Sequence, residues 1–174
     1  MLLGYGAKNC WCFKDWLDIN LRLNGYVPKD VSDNRDYSLI LGFEGANASG
    51  KTSALKVFAF IADFIKNSFI YTPESLILYD SFFNNNEPSE FYVEFTDSDE
   101  LEYRYEAILQ KDHVIKETLF LIKSTVEEIL LQRDNNEVSV NHLYDNESKI
   151  ILRNNASIIS TLHQYAIQEI DPVF

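Results

Sequence analysis

At 174 residues the chain has room for one good-sized domain, and its 46% apolar content, with 12 Phe and 10 Tyr, argues against disorder. A formal net charge of −12 argues against this chain alone as the main electrostatic contact to nucleic acid or to an anionic membrane. No apolar stretch approaches the ~18 residues of a membrane span and the N-terminus does not read as a signal peptide, so a cytoplasmic location without membrane partners is the expectation.

Residues 2–13 read as a strand loosened by Gly4 and Gly6. Cys10 and Cys12 are spaced to share one face of it and read as small buried apolar residues, since two ligands do not close a zinc site. Leu17, Ile19, Leu21 and Leu23 alternate with Asp18, Asn20 and Arg22, which predicts a half-buried strand hairpinned with the first. Residues 24–36, with Gly25 and Pro28, form a loop. The apolar run Tyr37–Phe43 predicts a central strand covered on both faces. Beyond a glycine-containing segment, Leu55, Phe58, Ala59, Ala62, Ile65 and Phe69 recur at helical spacing.

From Pro73 the chain turns irregular, up to the Asn84–Asn86 run and Pro88. Phe91, Val93 and Phe95 then alternate, as do Leu101, Tyr103, Tyr105, Ala107 and Leu109 after a turn at 97–100. A further turn at Lys111-Asp112 leads into Val114–Ile122, and a later hairpin joins Glu128–Arg133 to Glu137–Val140 through Asp134-Asn135-Asn136. These segments predict an antiparallel meander. Residues 155–168 predict a C-terminal helix with Ile158, Ile159, Leu162 and Ala166 on one side.

Residues 45–52, Gly-Ala-Asn-Ala-Ser-Gly-Lys-Thr, fit the phosphate-loop pattern G-x-x-x-x-G-K-[ST] in full. Gly45 and Gly50 permit backbone conformations that turn successive N–H groups inward as an anion nest, Asn47, Ala48 and Ser49 complete the loop, and the following helix adds its positive end. In this pattern Lys51 reaches the β- and γ-phosphates and stabilises charge on the transferred phosphoryl group, making it the catalytic candidate. The Thr52 hydroxyl is the candidate Mg²⁺ ligand, and Ser53 donates to the α-phosphate. The pattern demands a buried strand before it and a helix after it, and the periodicity supplies both. No guanine-reading Asn-Lys-x-Asp is present, which points to ATP with Mg²⁺ as the ligand.

The stretch GFEGANASGKTSALKVFAF resembles the G-x-N-x-S-G-K-[ST] loop of ABC-type ATPase heads, a group with SMC and RecF proteins, overcoming-lysogenization-defect nucleases and AAA-type proteins of anti-phage systems. The opening LLGYGAKNCWCFKDWLDINL is similar to that family's first hairpin, with Asn9, Phe13, Lys14 and Asp15 in the places of its N-x-x-x-F-K-D stretch. The resemblance implies that Phe13 and Lys14 flank the adenine or ribose, although Phe13 as core and Lys14 as a solvated charge is an equal reading. It also implies an α/β P-loop NTPase lobe: a mixed sheet around the loop's strand, a central helix, an antiparallel β-subdomain and a C-terminal helix. Within one domain, residues 1–70 would hold the hairpin, loop strand and first helix, 71–89 a connector, 90–153 the β-subdomain and 154–174 the helix and tail. Such heads form homodimers or higher oligomers on nucleotide and drive an effector protein.

Departures from the family pattern bear on hydrolysis. No apolar strand after the loop ends in Asp-Glu, and no Leu-Ser-Gly-Gly-like signature occurs; Leu76–Asp80 is the nearest imitation of the former. The expectation is therefore the N-terminal lobe of a longer ATPase, inactive alone. A non-hydrolysing nucleotide-dependent assembly module and a small P-loop kinase are the alternatives, the latter opposed by the meander. His113, His142 and His163 are scattered and read as surface residues, and the strand tyrosines read as packing rather than base stacking.

Overall fold

Period-two alternation decides which side of a sheet each side chain takes, and here it builds most of the molecule. The computed structural model describes residues 1–123, 126–143 and 150–173. Its strands are β1 (Leu2–Lys8), β2 (Leu17–Asn20), β3 (Ser89–Thr96), β4 (Glu102–Leu109), β5 (Val114–Lys123), β6 (Val126–Asp134) and β7 (Glu137–Asn141). They form one sheet in the order β2-β1-β3-β4-β5-β6-β7, and every neighbouring pair is antiparallel. Among the described residues three α-helices accompany it: the single turn α1 (Lys29–Ser32), the long α2 (Lys51–Asn67) and α3 (Ile158–Gln164).

Tyr5, Phe91, Val93, Tyr103, Tyr105, Leu119 and Leu131 face α2 and α3 and make the core with Val57, Phe60, Ile61, Ile159 and Leu162. The predicted meander is thus present as β3 to β7, with Tyr103, Tyr105, Ala107 and Leu109 all buried as their alternation requires. On the outer face, a side chain at Gly6 would place its Cβ 2.3 Å from the Leu17 carbonyl oxygen and 2.4 Å from the Tyr92 ring. Only glycine lets β2 pair here while Tyr92 lies across β1.

A fully buried ion pair ties the sheet to α3. Arg133 Nη1 donates to Glu117 Oε2 at 3.0 Å and to the Ala156 carbonyl at 2.6 Å, and both side chains have no exposure. The Ile158 N–H donates to Glu117 Oε2 at 3.0 Å, and the Tyr105 hydroxyl donates to the same carboxylate. Ser157 caps α3 by accepting from the Ile159 N–H.

Several expectations are corrected. Tyr37–Phe43 is not a central strand: only Tyr37 makes an isolated bridge, to Arg22, and Ile40 is 84% exposed. An apolar run becomes a buried strand only where ladder partners and cover exist on both sides, and no strand among the described residues pairs with it. The sheet is accordingly antiparallel throughout rather than mixed around that strand. Residues 2–13 do not form one strand: β1 stops at Lys8, and the chain turns with Asn9 and Trp11 at positive φ. Cys10 is therefore buried and Cys12 exposed, instead of sharing a face. On α2 the buried stripe is Ala54, Val57, Phe60, Ile61, Phe64 and Ile65, whereas Leu55 and Ala59 are exposed and Phe58 reaches the edge of the core, its ring 5.4 Å from that of Tyr5. The helix is apolar most of the way round, so contact with β1 and β3 selects the phase. The C-terminal helix starts at Ile158 rather than 155 and ends before Ala166, whose φ of 57° breaks it.

Candidate functional site

The head of α2 and the loop before it form a continuous unit. Gly45 has φ 154° and Gly50 92°, conformations that glycine adopts without strain, while Ala48 at 63° sits in the left-handed region despite its Cβ. A Cβ at Gly45 would stand 2.9 Å from Ser49 Oγ, and one at Gly50 would stand 3.3 Å from Cys12 Sγ and 3.4 Å from the Phe13 ring. Both glycines of the motif are thus places where the loop closes on itself or on the N-terminal turn.

Lys51 begins α2 and curls back over the loop. Its Nζ donates to the Gly45 and Ala46 carbonyls, each at 2.7 Å, and contacts Ser49 Oγ at 3.4 Å. This places an ammonium charge within the loop, beside the positive end of a 17-residue helix with no acidic residue in its first turn. Asn47, Ala48 and Thr52 are exposed, and Ser53 is partly so. Positive-φ backbone turns, a helix N-terminus, the Lys51 ammonium and the Thr52 and Ser53 hydroxyls thus all lie within residues 45–53. Among the described residues no group of three His, Cys, Asp or Glu side chains is placed to hold a metal ion.

The N-terminal turn braces this loop from one side. Cys10 and Phe13 exchange backbone hydrogen bonds of 2.9 and 2.8 Å, making a tight corner against Gly50. Burial pushes the Cys10 thiol up to about 12, with the nearby Cys12 adding to the shift. Phe13 is half-buried against the core, while Lys14 is exposed. Asn9 clamps the turn to the distant connector: its amide donates to Asn85 Oδ1 at 3.0 Å and to the Glu87 and Pro88 carbonyls, and Asn85 donates back at 2.7 Å.

That clamp creates a feature no sequence pattern marked. Trp11 N–H donates to the Asp80 carbonyl at 2.7 Å and Phe82 N–H to the Asn9 carbonyl at 3.2 Å, so residues 80–84 lie alongside the turn. Between them and the first turn of α2 opens a cleft of about 500 Å³, walled by Trp11, Cys12, Ser53, Asp80, Phe82 and Phe83. The Asn84–Asn86 run was the one sequence signal there, and it read only as a loop. Asp80 ends no strand; its carboxylate pairs with Lys111 at 3.0 Å.

His113 and His163 sit beside Asp112 and Asp171 at the surface, and His142 is exposed. No helix among the described residues is long and apolar enough to cross a membrane.

A family model described as "AAA domain, putative AbiEii toxin, Type IV TA system" matches residues 40–155, about two thirds of the chain. No curated protein and no solved structure matches it.

Proposed function

The chain belongs to that AAA-domain family, whose members are of the nucleotide-binding ATPase type, and on this premise we propose that it binds Mg-ATP through residues 45–53. The observation that carries the reading is the position of Lys51, held at 2.7 Å by two loop carbonyls at the head of α2. A triphosphate entering the loop would compete for that ammonium and exchange neutral acceptors for anionic ones. Gly45, Asn47, Ala48, Ser49 and Gly50 would supply the backbone cradle. Thr52 would meet the metal and Ser53 the α-phosphate, with Phe13 and Lys14 bracing the loop or touching the nucleoside. Bound Mg²⁺ supplies charge neutralisation at the phosphate oxygens.

In this reading the segment is one ATPase head of ABC type. It holds nucleotide and associates with a second head, whose residues complete hydrolysis and drive an effector. The exposed Leu39, Ile40, Leu41, Leu55 and Phe58 support an association role, because they lie on the two segments that flank the loop. The antiparallel pairing of every described strand counts against the parallel βαβ alternation of a small kinase.

Calorimetry with Mg-ATP on the chain and on Lys51→Ala, with phosphate release assayed in parallel, tests the proposal. Binding that weakens at least about tenfold in Lys51→Ala, without turnover, is the expected result. Sustained turnover by this chain would overturn the lobe reading, and equal binding by the variant would overturn the role of the loop.

A further inference from the structure

A phosphate loop by itself selects a polyphosphate and says nothing about what the phosphates are attached to. The aromatic cleft beside it supplies that missing selectivity. Resting on the proposal that residues 45–53 bind a triphosphate, we infer that the cleft between the N-terminal turn and residues 80–84 seats the base and ribose of a nucleotide, with Phe83 as the stacking platform.

Three observations converge on this. First, the cleft is continuous with the loop: Ser53, in the first turn of α2 where the α-phosphate would end, is part of its wall. A nucleoside leaving the α-phosphate therefore enters it directly. Second, its volume of about 500 Å³ suits a nucleoside, and its walls pair aromatic faces with a few polar groups, the usual make-up of a small-molecule site. Third, Phe83 is held out in solvent at 86% exposure by a backbone in the left-handed region, at φ 50°, followed by Asn84 at φ 53°. Exposing a phenyl ring costs hydrophobic free energy, and the left-handed conformation of a bulky residue adds strain. The ring stands nearly perpendicular to Phe82, with centroids 4.5 Å apart, and its high exposure leaves surface for a flat partner to stack on.

The reading also moves the nucleoside away from Phe13 and Lys14. The Phe13 ring is spent against Gly50 and the core, so the neighbouring Trp11 and the remote Phe83 take the base instead. Asn9 becomes a positioning residue: its reciprocal amide pair with Asn85 fixes residues 81–85 at the right distance from Trp11.

The test titrates the 174-residue chain with Mg-ATP and separately with magnesium tripolyphosphate, and repeats both with Phe83→Ala. Wild type should hold ATP more tightly than tripolyphosphate. Phe83→Ala should weaken ATP by about tenfold, the range of one base-stacking contact, and leave tripolyphosphate unchanged. Phe83 is largely exposed and packs only on the ring of its neighbour Phe82, so its variant should keep the wild-type circular dichroism. In a Trp16→Phe background, Trp11 fluorescence should respond to ATP and not to tripolyphosphate. Equal affinity of wild type for the two ligands, or an ATP affinity untouched by Phe83→Ala, would overturn the cleft as the nucleoside site while leaving the phosphate loop intact. Binding of neither ligand by wild type would instead mean that the loop reading has failed, and this inference with it.

Discussion

The meander β3–β6 and the segment leading into the phosphate loop are both rich in apolar residues, yet they end in opposite environments. In the meander each strand has two ladder partners and an α-helical layer over one face, so Tyr105, Leu119 and Leu131 are at most 1% exposed. Residues 38–43 have no strand partner among the described residues, and Ile40 stands almost fully in water. The two regions show that hydrophobicity sets only a tendency to be buried. Hydrogen-bond partners for the backbone and a surface to pack on decide whether the tendency is met. They also divide the labour: the meander is the rigid support, and the loop keeps its surfaces available.

The contrast can be broken most forcefully at the base of the meander. Glu117→Ala would leave the Arg133 guanidinium buried without its carboxylate and the α3 N-terminus without its acceptor. A loss of about 3–5 kcal/mol in urea unfolding is expected, as for other broken buried pairs. A loss below about 1 kcal/mol would show that water enters and that this region is looser than its packing implies.

Alkaline titration probes the meander and the core it shares with the connector residue Tyr79 more gently. Burial raises Tyr79 and Tyr103 to about 12, and Tyr105 lies well above the ordinary 10.0, pushed by burial and then by the Glu117 charge. The folded state favours the neutral phenols. Their contribution is therefore complete below pH about 10 and is lost as pH climbs through about 12. Melting temperature should hold to pH about 9.5 and fall above it, with the near-ultraviolet dichroism of the tyrosines changing together with the fold. A flat profile to pH about 12 would remove these phenols from the stabilising core.

The smallest effect belongs to the other region. Ile40→Asp should change stability by no more than about 0.5 kcal/mol, because the side chain has little packing to lose. A markedly larger loss that grows with protein concentration would reveal that the run is covered by a second chain in solution. That result would sharpen the association proposal.

Much was legible in the chain itself. A helix over residues 51–67 and the inward face of β4 follow from helical spacing and period-two alternation, both of which are local. The N-terminal hairpin was legible in outline and wrong in length, because only the positive φ of Asn9 and Trp11 reveals where β1 stops. Tertiary structure alone decided the rest. It chose which side of an all-round apolar helix faced the sheet, and it left Tyr37–Phe43 without a ladder. It placed Glu117 and Arg133 opposite each other in the core, and it brought Trp11 beside Phe82 and Phe83 across some seventy residues of chain. The physical reason is range: dihedral preference and periodicity act over a few residues, whereas pairing partners, burial of charge and the walls of a cleft are set by segments that meet only once the chain has folded.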